Sequence, residues 1–177
     1  MKNFFLLLVL SIFVSSCSTV KVATDYDSEV NFNQYKSYAF YKPGIDKADI
    51  SDLDKKRILR AIESEMNAKG YTKSSNPDIL VSIFTKSREK VNINQSNNFY
   101  GYFGYRPWFN NLNRDVNVSQ YTEGTLFIDF IDKQKKELVW QGIGTGALKM
   151  GSKEKKDERI KEFVKEIISK YPPMPEK

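Results

Sequence analysis

The chain has 177 residues, of which 14% are aromatic, and a formal net charge of +6 with no histidine. This length suits one domain, and the aromatic content argues against extensive disorder. The absence of histidine excludes Ser-His-Asp and Cys-His catalysis and removes the commonest zinc ligand. The charge comes from 22 lysines and six arginines scattered among acidic residues, a pattern that argues against nucleic-acid binding.

The first predicted element is an export signal. Lys2 precedes an 11-residue apolar run that ends at Val14, well short of the roughly 20 residues that a transmembrane helix needs. Two serines then precede Cys17, the only cysteine in the chain, and Val-Ser-Ser-Cys resembles the bacterial lipobox. We therefore expect residues 1–16 to be removed and Cys17 to carry lipid, with an ordinary cleaved signal peptide as the alternative. No acidic pair follows the cysteine, so we expect an outer-membrane location facing the periplasm.

Residues 18–33 are polar and predict a tether between the lipid and the folded domain. Fully extended, these sixteen residues would reach about 55 Å. The next segment, Gln34–Tyr41, alternates aromatic and small or polar residues and predicts the first strand. Pro43-Gly44 is expected to end that strand.

The first predicted helix runs from Ser51 to Lys69. Ser51 suits its N-cap, and Gly70 stands where a left-handed C-cap is expected. An apolar stripe repeats along it every three to four residues, formed by Ile58, Leu59, Ile62 and Met66. We expect this stripe to pack on a sheet rather than to bind a ligand.

Three further strands are predicted after this helix. The second strand covers residues 78–88 and the third 116–132, with a long excursion between them. Gly124 within the third strand predicts a bulge or a point of close packing. The fourth strand, 137–149, follows a polar turn and carries glycine at alternate positions: Gly142, Gly144 and Gly146. On this bare face we expect either a closely packed helix or a bend in the strand.

The last predicted helix begins after Ser152 and ends before Pro172-Pro173. The element order β-α-β-β-β-α predicts an α+β fold, a two-layer sandwich in which a four-stranded, mainly antiparallel sheet carries two helices on one face. The first strand reaches the sheet through a helix, so we expect it to lie parallel to the second. One domain would then cover residues 34–172, followed by a tail at 173–177.

Six segments in this order resemble the DUF4136 family of bacterial envelope lipoproteins. These segments are Val22–Asp27, Asn31–Phe40, Lys69–Tyr71, Asn76–Val81, Glu123–Asp129 and Leu138–Gly142. The resemblance spans nearly the whole chain after the signal, and it implies a periplasm-facing lipoprotein without naming any catalytic residue. The element order is also similar to that of small lipoproteins that plug or scaffold outer-membrane assembly machines, which is a likeness of fold and not of function.

The strongest predicted binding surface is the segment 97–111. Seven of the eleven residues from Phe99 to Phe109 are aromatic, and an apolar patch this dense generally marks an interaction site. The candidate binding residues are Phe99, Tyr100, Tyr102, Phe103, Tyr105, Arg106, Trp108 and Phe109. Their amphipathic rings suit an envelope protein, a glycan or a lipid surface. The alternative is that this segment folds back over the open face of the sheet.

Three carboxylates lie in or beside the predicted strands: Asp78, Asp129 and Asp132. A pair separated by about 5–9 Å would support glycosidase-type acid–base chemistry. The three-residue spacing places Asp129 and Asp132 on opposite faces of a strand, so we expect structural roles with lysine partners instead.

Three functions are compatible with these expectations. The first is a non-enzymatic binding or scaffold module that is anchored through Cys17 and uses the segment 97–111. The second is an accessory factor that handles lipid or lipopolysaccharide during outer-membrane assembly. The third is a carboxylate-based cell-wall hydrolase that includes Asp129. We favour the first, for which we expect no metal, cofactor or nucleic-acid partner.

Overall fold

A computed structural model describes residues 20–95, 116–148 and 152–173, with side chains described over 20–89, 122–148 and 152–173. The described residues form six strands and three α-helices, with a 3₁₀ turn at Phe32–Gln34. In chain order these are β1 Lys21–Tyr26, β2 Ser37–Phe40, α1 Lys42–Asp46, α2 Asp52–Ala68, β3 Thr72–Lys73, β4 Ile79–Gln95, β5 Val116–Asp132, β6 Leu138–Ala147 and α3 Lys153–Ser169.

The strands form one mixed sheet in the order β1-β6-β5-β4-β2-β3. β1, β6, β5 and β4 pair antiparallel, and β2 pairs parallel with both β4 and β3. The α+β class and the parallel arrangement of β2 and β4 confirm the sequence prediction. The prediction of a four-stranded sheet was wrong because it missed the two edge strands, β1 and β3. β3 has only two residues, both exposed, so it carries no side-chain periodicity.

β1 lies inside the segment that was predicted to be a tether over residues 18–33. Lys21–Tyr26 pairs along its whole length with β6, starting opposite Thr145. Most of its residues are exposed, because it is an edge strand with one covered face, and this hid the strand pattern. The segment between Cys17 and the fold is therefore three residue steps long, since Val20 is already buried. The predicted 55 Å reach is wrong.

The two long helices begin and end close to their predicted bounds. The Ser51 hydroxyl accepts a hydrogen bond from the N–H of Asp54 at the start of α2, as an N-cap should. Gly70 follows α2 with φ of +85°, the left-handed conformation that glycine adopts most readily. The predicted strand terminator, Pro43-Gly44, lies instead in the short helix α1.

The core lies between the sheet and one face formed by α2 and α3. Its fully buried large side chains come from both layers: Tyr38, Ile62, Met66, Ile79, Ile83, Ile128, Phe130, Trp140, Ile167, Ile168 and Tyr171. An aromatic cluster occupies one end, where the Tyr171 ring lies 4.4 Å from that of Phe130 and 5.2 Å from that of Trp140. The apolar stripes of the two predicted helices therefore do pack on the sheet.

The bare glycine face of β6 is covered by α3, as expected. Gly142 and Gly144 lie beneath Ile167, and a Cβ added at Gly144 would stand 2.7 Å from Ile167 Cδ1. Gly124 is also a close-packing point, because a Cβ there would stand 2.6 Å from Leu148 Cδ2. These glycines let the helix and the strand-end residue approach the sheet backbone.

Both long helices begin at the same end of the sheet. Lys156 lies 2.7 Å from Asp54 and Arg57 lies 2.7 Å from Asp157, so the first turns of α2 and α3 are side by side. β4 and β6 run toward this end, β1 starts there, and the last carbonyl of β6 accepts a hydrogen bond from α3. We call it the helix-start end. The opposite end, which carries the β5–β6 turn at residues 133–137, is the hairpin end.

Two strands continue past the helix-start end. β6 stops at Ala147, opposite Glu123, whereas β4 and β5 stay paired from Arg88–Glu123 out to Gln95–Val116. This two-stranded extension, the β4–β5 ribbon, carries β4 beyond its predicted end at residue 88. At its base Arg88 and Glu123 form a salt bridge of 2.6 Å.

Candidate functional site

A cavity of about 550 Å³ opens at the helix-start end, between the helices and the sheet. We call it the helix-start pocket, and its volume falls within the range of roughly 300–1,000 Å³ that small-molecule sites occupy. Its floor is formed by Thr85, Ser87, Gly124 and Leu126, and its walls include Ile50, Ile58, Leu148, Ile160 and Phe163. Aliphatic and aromatic groups therefore make up most of its inner surface.

One polar atom lies unpaired in the floor. The Thr85 hydroxyl is buried and has no hydrogen-bond partner within the described residues. A buried hydroxyl without a partner costs free energy, so this position in the floor is not optimised for the stability of the fold alone. Gly124, which is paired with Ser87 on the neighbouring strand, has no side chain and lets Leu148 pack against this part of the floor.

The rim of the pocket is charged and held in place by ion pairs. Asp54 accepts hydrogen bonds from Lys156 and Arg57, at 2.7 Å and 2.8 Å, and one from Ser51. Burial would raise the pKa of the Asp54 carboxyl, but these donors outweigh burial and hold the pKa below its usual range. Asp54 therefore remains ionised at neutral pH and fixes Lys156 at the rim.

Arg159 extends this rim and is only 6% exposed. Its Nε donates to the carbonyl of Ala147 at 3.1 Å, and its Nη1 lies 2.6 Å from Glu162. The guanidinium also lies 4.7 Å from the centre of the Phe163 ring. These contacts place a positive group against the apolar wall, a setting suited to a ligand with an apolar body and a polar or anionic end.

Sequence reasoning missed this pocket, although one signal was present. Arg159 stands four residues before Phe163, in register with the apolar stripe of α3, and a charged residue on an apolar face marks a special environment. Thr85 and Gly124 come from separate strands and carry no such signal. The predicted functional residues, Cys17 and the aromatic residues of 97–111, lie outside the described residues.

The three predicted carboxylates have structural partners. Asp78 accepts from the backbone N–H groups of Lys36 and Ser37, both at 2.8 Å, which lowers its pKa and ties β4 to the start of β2. Asp132 accepts from Tyr35 Oη at 2.8 Å and from two N–H groups of the hairpin turn. Within the described residues, the groups that donate hydrogen bonds to these three carboxylates are hydroxyls, backbone amides and the side chain of a glutamine. The expected lysine donors are not among them.

Asp129 and Asp132 lie on opposite faces of the sheet, as their spacing predicts. Asp129 is paired across the strands with Ser82, and Asp132 with Ile79, three positions away. Burial raises the pKa of Asp129, and a hydrogen bond of 2.7 Å from Gln141 offsets this only in part. This arrangement argues against a catalytic pair made of these two carboxylates.

The two carboxylates are expected to respond oppositely to amidation. Burial raises the pKa of Asp132, but hydrogen bonds from the turn amides and Tyr35 outweigh burial and hold the pKa below its usual value. The ionised carboxylate therefore stabilises the fold above about pH 4, and this stabilisation is lost as the pH falls through the pKa of the folded state. D132N should lower the free energy of unfolding by about 1–3 kcal/mol at pH 7. D129N should leave stability unchanged or raise it, because the raised pKa of Asp129 makes its ionised form unfavourable as pH rises. Urea unfolding between about pH 2.5 and 8 measures both effects, and a larger loss of stability in D129N than in D132N at pH 7 would contradict this.

The described residues contain neither a metal-binding cluster nor a helix suited to span a membrane. In the described ranges, no group of three or more His, Cys, Asp or Glu residues is placed to hold a metal ion. Likewise, none of the described helices combines the length and apolar character of a membrane span.

The fold and pocket define a small α+β domain in which two parallel helices cover one face of a mixed sheet. Residues 22–173 match DUF4136, a domain of unknown function, and the chain belongs to that family. Among curated proteins, none matches this chain.

Several solved structures match this chain at low sequence identity. A PDZ domain protein from Parabacteroides distasonis is 17% identical with a TM-score of 0.53, and the match covers 95% of this chain and 40% of that one. The chain thus spans two fifths of that protein's length, and the likeness is one of fold alone. Two dodecamer structures of PelC from Paraburkholderia phytofirmans, each 11% identical, match over 85% of this chain and 96% and 95% of theirs, with TM-scores of 0.49 and 0.44.

Proposed function

We propose that this chain is a lipid-anchored, non-enzymatic binding or scaffold module of the bacterial cell envelope, held at the outer membrane by Cys17 and facing the periplasm. The helix-start pocket is the observation that carries the proposal, because it offers apolar walls, a buried hydroxyl and a charged rim in one cavity. The lipobox-like sequence before Cys17 supports the anchor. The aromatic segment 97–111 remains a second proposed contact, which rests on sequence alone.

The pocket favours one class of ligand. Its walls suit an alkyl or acyl group, and its rim places Lys156 and Arg159 near the mouth. Acidic residues pair with these cations and leave the rim close to neutral. The cations therefore act as hydrogen-bond donors at fixed points and produce little net electrostatic potential. The ligand is therefore an amphipathic molecule whose apolar part enters first.

The same observation supports a second candidate function. An accessory factor that handles lipid or lipopolysaccharide would need a cavity of this kind for part of an acyl chain. The two candidates differ in what happens after binding: a scaffold keeps its ligand, whereas a handling factor passes it to another membrane.

Filling the pocket should abolish binding of an acyl probe. In I160W the larger ring would occupy the space between the α3 wall and the floor, so we expect the affinity for a fluorescent fatty acid to fall at least tenfold. The matched control is L53W, because Leu53 is 63% exposed on α2 and does not line the pocket. Fluorescence titration of both variants, with circular dichroism to confirm folding, measures the difference.

A competition series then tests the polar end of the ligand. Displacement of the probe by a fatty acid but not by the alkanol of equal length would show that the rim recognises an anion. Equal affinity of I160W and L53W for the probe, or no saturable binding by the unmodified protein, would overturn the proposed pocket function.

A further inference from the structure

We propose that the helix-start end of the domain faces the anchoring membrane, and that the β4–β5 ribbon contacts its lipid surface. This orientation deepens the proposed function and rests on its lipid anchor at Cys17. The partner is a lipid bilayer, recognised through the geometry of the chain and not through a specific headgroup.

The first step is the position of the anchor along the chain. Three residue steps separate Cys17 from Val20, so the two are at most about 11 Å apart even in extended chain. Val20 is 7% exposed, and Lys21 after it pairs with Thr145, two residues before β6 ends. The anchor therefore joins the domain at the helix-start end.

The second step is the length of the domain. β6 has ten residues, which span about 30 Å at roughly 3.3 Å per residue. The hairpin end is thus farther from Val20 than the segment after Cys17 can reach. A chain anchored at Cys17 has its helix-start end against the lipid unless the whole sheet lies flat on the surface.

The third step is the ribbon. From Glu123 to Val116 it extends about 23 Å beyond the end of β6, at roughly 3.3 Å per residue. This length is about twice the reach of the residues between Cys17 and the fold. The ribbon projects from the helix-start end, which is also where the segment from Cys17 joins the domain. An upright domain therefore brings its ribbon to the bilayer.

The orientation has a consequence for the helix-start pocket. The pocket opens at the same end of the sheet, beside Leu148 and the first turns of α2 and α3. Its mouth then lies next to the bilayer, so an acyl ligand can pass between the membrane and the pocket without crossing the periplasm.

Single cysteines can test this in the full lipidated protein, because a lipidated Cys17 has no free thiol. We would label E89C at the ribbon base and K135C in the hairpin turn, both exposed positions, reconstitute each into vesicles, and measure quenching by a nitroxide on the lipid headgroup. We expect at least twofold stronger quenching at position 89. A second pair, K153C and K170C at the two ends of α3, gives the same comparison if the first pair folds poorly.

The outcomes separate the two proposals. A protein that does not float with the vesicles lacks the lipid anchor, which overturns both the anchor and the orientation. A protein that floats and still binds the acyl probe, but shows equal or stronger quenching at the hairpin end, overturns the orientation alone.

Discussion

Replacing Trp140 with alanine is expected to lower the free energy of unfolding by about 3–5 kcal/mol. Trp140 is fully buried on the helix-covered face of β6, where its ring lies 4.9 Å from that of Phe130 and 5.2 Å from that of Tyr171. Alanine would leave a cavity beneath the end of α3 and remove the support of two neighbouring rings. Urea denaturation followed by circular dichroism measures the loss.

The matched control lies two residues away on the same strand. Leu138 is 51% exposed, so L138A should change the free energy of unfolding by less than about 0.5 kcal/mol. Losses that differ by less than about 1 kcal/mol between W140A and L138A would contradict the packing described for this face.

A C17S variant is expected to leave the membrane fraction almost completely. Serine has no sulfur atom and cannot form the thioether that links the lipid, so the chain would lose its acyl groups. Each methylene of an anchor contributes roughly 0.8 kcal/mol to membrane binding, and two or three chains together hold a protein firmly. Membrane fractionation and incorporation of labelled palmitate measure the two parts of this effect.

The neighbouring variant T19A controls for changes in export. It alters the segment between the anchor and the fold without touching the thiol, so it should stay membrane-bound and labelled. If C17S stayed in the membrane fraction and incorporated labelled palmitate as fully as T19A, lipidation at Cys17 would be excluded.

The elements that could be predicted from sequence each bury one complete face. α2 and α3 carry apolar residues at helical spacing, and in the central strands every second side chain points into the core. The spacing of apolar residues in each element therefore indicates which of its faces is buried. The glycine positions of β6 likewise predicted the close approach of α3. β1 was not predicted because an exposed edge strand joins a sheet through backbone hydrogen bonds, and these leave no pattern in the side chains.

The helix-start pocket could not be predicted in the same way. Thr85, Gly124 and Arg159 are far apart in the chain, and they meet only because β4 and β5 pair and α3 packs across them. A cavity is space that several elements fail to fill, so no single segment carries its signature. Only Arg159, a charge within an apolar stripe, pointed toward it.

The sequence by itself determined the α+β class, the two amphipathic helices, the DUF4136 resemblance and the exclusion of histidine chemistry, because these depend on local periodicity and composition. Only the tertiary structure decided the six-stranded order, the three-residue distance from Cys17 to Val20, and the pocket at the helix-start end. Those features depend on which distant backbone segments pair and which faces remain uncovered. Long-range pairing shortened the predicted tether, and with it the possible distance between the domain and the proposed lipid anchor.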